Sequence, residues 1–206
     1  MKKLSSLLVF FLGLVIISKA QTVTIGTQVW CRQNLDVTIF RNGDLIPEVK
    51  TNEEWNDANQ KKQPAWCYYD NDPSKGKLYN GYAVADPRGL APLGYHIPNN
   101  DEWFVLSDFL GGTMVAGSKL RSRFGWIENK ELTKFTGFSA LPSGYRDADG
   151  SFHNFGKDAY WWSSSSYATH ESVTFFRHLD AFFKEGNNFN SHGGFVKGFS
   201  VRCLKD

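Results

Sequence analysis

Charge of either sign is never concentrated in this sequence, and no apolar stretch is long enough to span a bilayer. Lys and Arg number 23 against 21 Asp and Glu, interspersed throughout the 206 residues. No basic patch therefore argues for nucleic acid or an anionic membrane surface as partner. The longest apolar run, Leu7 to Ile17, is too short for a transmembrane helix. Cysteine is scarce, at three, and no two cysteines stand at zinc-ligand spacing. None of the five histidines falls in a known metal-binding spacing. There is no Gly-x-Ser-x-Gly elbow, and no nucleophile and base pair can be named. These absences point away from an enzyme. Low complexity is confined to the four serines Ser163 to Ser166.

What is present begins with an expected leader. Lys2-Lys3 forms a basic n-region, Leu7 to Ile17 an h-region, and Ser18-Lys19-Ala20 a small-x-small cleavage site. Residues 1–20 are thus expected to be a signal peptide, with Gln21 as the mature N-terminus. No cysteine follows the apolar run, so lipid modification is not indicated. The expected compartment is exported (periplasmic, cell-surface or extracellular), with no membrane span after cleavage. Losing Lys2, Lys3 and Lys19 leaves 20 basic residues against 21 acidic, so the mature chain is near neutral. Residues 21–206 suffice for one substantial domain. Three cysteines reaching an oxidising compartment allow one disulfide and one leftover thiol, and the residues by themselves do not choose the pair.

The strongest local signal is a helix opened by Asn99. Asn99 is a cap, Glu102 its capping-box partner, and Trp103, Leu106 and Leu110 recur at helical spacing. Phe104, Val105 and Phe109 widen that apolar face, and Gly111-Gly112 ends the helix. Thr51 to Glu54 is a second capping box, opening a short helix that carries Trp55 inward. Asn42-Gly43 and Asp149-Gly150 predict tight turns between strands. Leu78 to Val84 reads equally as helix or strand, and Ala116 to Phe124 as short and irregular. Tyr160-Trp161-Trp162-Ser163 predicts a strand, which sends the two tryptophans to opposite faces. Either both faces are covered or one tryptophan is partly exposed. Val173 to Leu179 and Phe199 to Cys203 read as further strands. With aromatics at 16%, the expected class is α+β: short antiparallel strands and two or three short helices around an aromatic core.

Asp70, Asp72 and Ser74, before Gly76, place oxygen-bearing side chains at alternate positions, a pattern suited to calcium. The glycine falls one position late for an EF-hand and no bidentate glutamate follows, so the competing reading is a solvated turn. No other cofactor is indicated. His96 reads as a structural residue at the start of the Asn99 helix.

Several blocks follow one another in a recognisable order: Trp66-Cys67-Tyr68-Tyr69, Gly76-Lys77-Leu78-Tyr79-Asn80, Gly94-Tyr95-His96-Ile97-Pro98, Gly137-Phe138-Ser139-Ala140-Leu141-Pro142, Tyr160-Trp161-Trp162-Ser163-Ser164 and Phe199-Ser200-Val201-Arg202-Cys203. In this the chain resembles the Fibrobacter succinogenes major paralogous domain, a family of exported bacterial proteins, from about Val23 to Asp206. The resemblance implies a C-type-lectin-like fold, distantly similar to formylglycine-generating and sulfatase-modifying domains. It also implies that the terminal strands meet and that a long loop region projects over roughly Gly144 to Ser191. The copper-binding cysteine pair of the formylglycine enzymes is absent, so their activity is not carried over. Cys31 stands where the family often has methionine, which implies a disulfide between Cys67 and Cys203. In the loop half, Trp161, Trp162, Tyr167, Arg146, Asp147 and Asn154 supply rings and polar groups of the kind that bind sugars, although large aromatics also simply fill cores. The expectation is an exported, non-enzymatic binding module for carbohydrate or cell-surface glycan. The alternative is a structural or adhesive surface protein, and behind it an enzyme related to the formylglycine-generating domains.

Overall fold

The computed structural model describes residues 21–127, 135–166, 173–180 and 188–206; the expected leader and Tyr167 lie outside them. The chain opens with Thr22–Ile25 (β1) and Gln28–Cys31 (β2), turning at Gly26. Helix Asn52–Gln60 (α1) follows, then Trp66–Tyr68 (β3), Lys77–Asn80 (β4), Gly81–Val84 (α2) and Tyr95–His96 (β5). Asn100–Phe109 (α3) and Thr113–Leu120 (α4) form a helical pair. The remainder is extended: Ser143–Arg146 (β6), Phe152–Phe155 (β7), Asp158–Ser166 (β8), Val173–Asp180 (β9), Asn188–Gly194 (β10), Gly198–Phe199 (β11) and Leu204–Lys205 (β12).

Helix boundaries follow the capping chemistry. Glu102 N donates to Asn99 Oδ1 at 2.9 Å while Asn99 N donates to Glu102 Oε2 at 2.8 Å. Thr51 and Glu54 make the same reciprocal pair at the start of α1. At the far end of α3, Gly112 N reaches Ser107 O and Gly111 N reaches Asp108 O, with Gly111 at φ +100°. This paired closure needs a residue that tolerates the left-handed region. Between α3 and the C-terminus, His96 bridges two carboxylates, Glu102 Oε1 at 2.8 Å and Asp206 Oδ1 at 2.7 Å.

Two sheets result. The smaller runs β1-β2-β12-β5, so Leu204 near the C-terminus pairs with Trp30 near the start. The larger runs β10-β9-β8-β6-β11-β4-β3, with β7 hairpinned onto β6 through Asp149-Gly150. Pairing between these strands is antiparallel except where β6 meets β8, and isolated parallel bridges join Glu48 to Trp66, Arg121 to Ala140 and Trp161 to Ser200. The class is mixed, with mostly antiparallel strands and, among the described residues, four short helices rather than two or three. The added helix is α4. Its start at Gly112 has no side-chain cap, so no capping signal preceded it, and burial of Ala116 and Leu120 holds it in place. Leu78 to Val84 resolves into a strand and then a helix, because Asn80 caps Ala83 N at 3.0 Å. Most of the described part of the expected loop region, Gly144 to Ser191, is strand, since β8 pairs with β9 from Asp158 to Trp162 and again at Ser166, across a register shift.

Strand β8 divides the core. Ala159 and Trp161 enter a cluster with Trp30, Trp103 and Phe138. Tyr160 and Trp162 enter another with Tyr79, Phe199 and Cys203. A third cluster joins Trp55 to Cys67 and Leu78 beneath α1. Both faces of β8 are therefore covered. Trp161 is 1% exposed and Trp162 is fully buried. Their indole N–H groups bond internally, Trp161 to Asn34 Oδ1 at 2.9 Å and Trp162 to Tyr79 O at 2.7 Å.

Alanine at either Trp161 or Trp162 is expected to destabilise by about 3–5 kcal/mol, read as a lowered urea midpoint; a variant within ~1 kcal/mol of wild type would contradict this placement. A second expectation concerns pH. Burial opposes the charged form of His96, but the Asp206 and Glu102 carboxylates outweigh it and the pKa is raised. The His96 contribution is fully present below the unfolded value of about 6.5 and is lost as pH rises through the folded value. The stability difference between wild type and His96→Gln should therefore be largest in mild acid and shrink toward pH 8, measured by thermal melts across that range.

Candidate functional site

With the tryptophans consumed by the core, the set expected to bind sugar does not assemble. Trp161 and Trp162 are not ligand platforms, because each lies in a different closed cluster. Arg146 is fully buried, and its guanidinium donates to the carbonyls of Gly150, Val49 and Thr51. Its Cζ lies 4.8 Å from the centroids of both the Trp55 and Phe152 rings, so it fastens α1 to the β6–β7 hairpin. Asp147 is ion-paired with Lys197 at 2.7 Å. Burial works against that carboxylate, yet Lys197 and the Ala148 amide hold its pKa below the ordinary value. Asn154, at φ +62°, donates to Asp158 Oδ2 at 2.7 Å and to Tyr160 Oη at 3.1 Å. Tyr167 lies outside the described residues.

Asp70, Asp72 and Ser74 occupy two short 3-10 turns. Asp72 Oδ1 accepts from Ser74 N at 3.0 Å and Ser74 Oγ at 2.8 Å, which lowers the Asp72 pKa. Lys75 Nζ sits 3.3 Å from Asp70 and 3.9 Å from Asp72. An ammonium already stands where a calcium ion would be drawn.

The cysteines also depart from expectation. All three are free and buried, so the Cys67–Cys203 bridge is not made. Cys67 lies in the cluster beneath α1, whereas Cys203 lies with Cys31, whose amide donates to Cys203 O at 2.9 Å. Burial pushes the Cys67 thiol up to about 11 and Cys203 to about 12. At neutral pH neither offers a thiolate nucleophile.

The site that does form is a groove of about 840 Å³ between the 32–36 segment, the 73–77 turn, the 122–125 turn and the 135–143 stretch. Phenyl rings of Phe124, Phe135 and Phe155 line it, and Phe124 is 76% exposed. Phe124 projects from a turn pinned by Ser122 N to Ala140 O at 2.8 Å and by Ser122 Oγ to Phe124 O at 2.5 Å. Phe155 ends β7, with Lys75 Nζ 5.2 Å from its centroid, and the Arg123 guanidinium lies 4.1 Å from that of Phe135. Among the described residues, Arg32, Lys75, Lys77, Arg123 and Arg202 line the groove with one carboxylate, Asp36, which pairs with Lys77, while Lys75 pairs with Asp70 and Asp72. The result is an apolar trough with a cationic bias.

At its base, Arg202 donates from Nη1 to the carbonyls of Cys31, Arg32 and Phe138, and from Nε and Nη2 to Asn34 Oδ1. Burial pushes its pKa down to about 9, so it stays cationic at neutral pH. Among the described residues no carboxylate pairs with it. None of the groove residues belonged to the expected sugar set. The one available signal was Arg123-Phe124-Gly125, a cation and a large ring beside a turn-forming glycine, inside a stretch that reads as irregular.

The sequence profile of the Fibrobacter succinogenes major domain matches residues 23–205. The chain belongs to this family. No curated protein and no solved structure matches it. In this Fibrobacter succinogenes major domain, the segment Phe199 to Cys203 supplies Arg202 to the base of the groove.

Lysine at position 202 cannot reproduce the forked donor set. Arg202→Lys should leave buried carbonyls unsatisfied and cost about 2–4 kcal/mol, seen as a lower urea midpoint with an unchanged m-value; a loss under ~1 kcal/mol would show that the fork is dispensable.

Proposed function

We propose that the protein is an exported, non-enzymatic binding module of C-type-lectin-like architecture whose groove takes an anionic glycan. The observation that carries this reading is the groove itself, where exposed phenyl rings stand beside Arg32 and Arg123, neither of which is ion-paired among the described residues. Sugar rings stack their apolar faces on aromatic side chains, and carboxylates on uronate-type residues would meet Arg123 and Arg32. Export is supported by the residues of the leader, and the C-type-lectin-like architecture by the pairing of β2 with the C-terminal β12. A non-enzymatic role is supported by the buried, protonated thiols.

A second reading, contact with another protein, draws on a different face. Phe104, Val105 and Phe109 of α3 are exposed rather than packed inward, and Met114 of α4 stands exposed beside them. The Arg177 guanidinium lies 4.4 Å from the Phe104 ring but is fully buried.

Phe124→Ala and Arg123→Gln should each weaken binding of an oligogalacturonate by on the order of tenfold, or ~1.4 kcal/mol. Both should leave stability within about 0.5 kcal/mol, as expected for surface changes. Added salt should weaken wild-type binding further. Calorimetry with acidic and neutral oligosaccharides in parallel decides it: equal affinity for both, or indifference to the two substitutions, would sink the anionic-glycan reading.

A further inference from the structure

Away from the groove residues, the pairing of β8 with β9 brings together a nitrogen and two carboxylates. Asp158 is the register partner of Asp180, and Tyr160 that of His178. Residues two apart on a strand share a face, so Asp158, His178 and Asp180 stand on the same side of the sheet. One ligand atom from each lies within 4.8 Å of the other two. His178 Nε2 is 3.4 Å from Asp158 Oδ2.

We propose that these three side chains form a binding site for a divalent first-row transition ion, with Zn²⁺ the best fit. Two carboxylates directly opposite each other on paired strands repel, and a cation between them turns that repulsion into attraction. The 3.4 Å separation is close to the spacing that two ligands adopt around zinc at bond lengths of about 2.0–2.2 Å. Asp180 needs only a small side-chain closure to join them. One imidazole with two carboxylates suits zinc better than calcium, which takes 6–8 oxygens at longer distances.

The surroundings hold the ligands in this posture. The His178 ring stacks on Tyr160 with centroids 4.5 Å apart and planes 2° from parallel, which fixes the direction of Nε2. Asn154 Nδ2 and Tyr160 Oη both donate to Asp158 Oδ2, at 2.7 and 3.1 Å, and orient that carboxylate. Hydrogen bonds of this kind to ligating groups are a regular part of metal sites. Asp158 is buried while His178 and Asp180 are half-buried, so an ion has a way in and a desolvated partner. Arg121 Nη2 donates to the main-chain carbonyl of Asp180. Three protein ligands leave a fourth zinc position for water.

The test uses the untagged, exported protein stripped with EDTA and titrated with ZnCl₂, with CaCl₂ and MnCl₂ in parallel. One equivalent of Zn²⁺ should bind and raise the thermal midpoint by about 5 °C at saturation. His178→Gln and Asp180→Asn should abolish both effects while keeping the native near-ultraviolet spectrum. Crystals soaked in Zn²⁺ should give an anomalous peak within about 2.0–2.2 Å of His178 Nε2 and a carboxylate oxygen of Asp158 or Asp180. That measurement needs no variant, and so decides the matter even if a substitution unfolds the domain. A peak at other histidines, undiminished binding by the variants, or no binding up to millimolar Zn²⁺ would overturn the proposal. Glycan binding in the groove uses none of these residues and is scored separately.

Discussion

Much of this fold hangs on one guanidinium. Arg202 is fully buried, yet among the described residues its hydrogen-bond partners are neutral: the carbonyls of Cys31, Arg32 and Phe138, and Asn34 Oδ1. Removing a charge from water is costly unless hydrogen bonds replace its hydration. Here they do so by drawing three distant stretches of chain to one point. The segment after β2, the stretch before Ala140 and the terminal strand region cannot separate without stranding that charge. Asn34 extends the arrangement, because the oxygen that accepts from Arg202 also accepts from Trp161 Nε1. The guanidinium further lies 4.3 Å from the Phe138 ring. One polar network thus fixes the aromatic core on one side and the base of the groove on the other.

The second constraint is the alternation of β8 between two closed cores. Trp30, Trp103, Phe138 and Trp161 meet at centroid distances of 4.7 to 6.2 Å on one side. On the other, Phe199 contacts Tyr160, Trp162 and Phe176. A sheet covered on both faces uses up its largest side chains for stability. Phe124, Phe135 and Phe155, at the margin, keep solvent beside them and line the groove. Lys75 lies over the Phe155 ring and Arg123 over the Phe135 ring.

The exposed side of α3 follows from the same geometry. Trp103, Leu106 and Leu110 suffice to close the helix onto the core. A helix of three turns has only one such stripe, so Phe104, Val105 and Phe109 face outward although they are as apolar. Arg177, fully buried, lies with its guanidinium 4.4 Å from Phe104 and donates to Asn100 O at 3.0 Å, tying β9 to the beginning of that helix.

Local chemistry alone determined a good deal of this protein. Capping boxes at Thr51 and Asn99, the glycine pair after α3, the turn at Asp149-Gly150 and the opposite facing of Trp161 and Trp162 are all consequences of a few neighbouring residues. So is the family, which ordered blocks along the chain specify. The helix α4 escaped because it has no side-chain cap, and its formation depends on burial by elements far away in sequence. The site escaped for a related reason. Which of many aromatics remain exposed is decided by how sheets cover one another, and no window of sequence contains that information. The partners of the three cysteines are likewise a matter of which strands adjoin: β2 lies beside the C-terminal strand, so Cys31 rather than Cys67 neighbours Cys203. The juxtaposition of Asp158 with Asp180 exists only through the register of two strands. Side-chain type and spacing fixed the elements; long-range pairing and burial decided which residues meet and which face solvent.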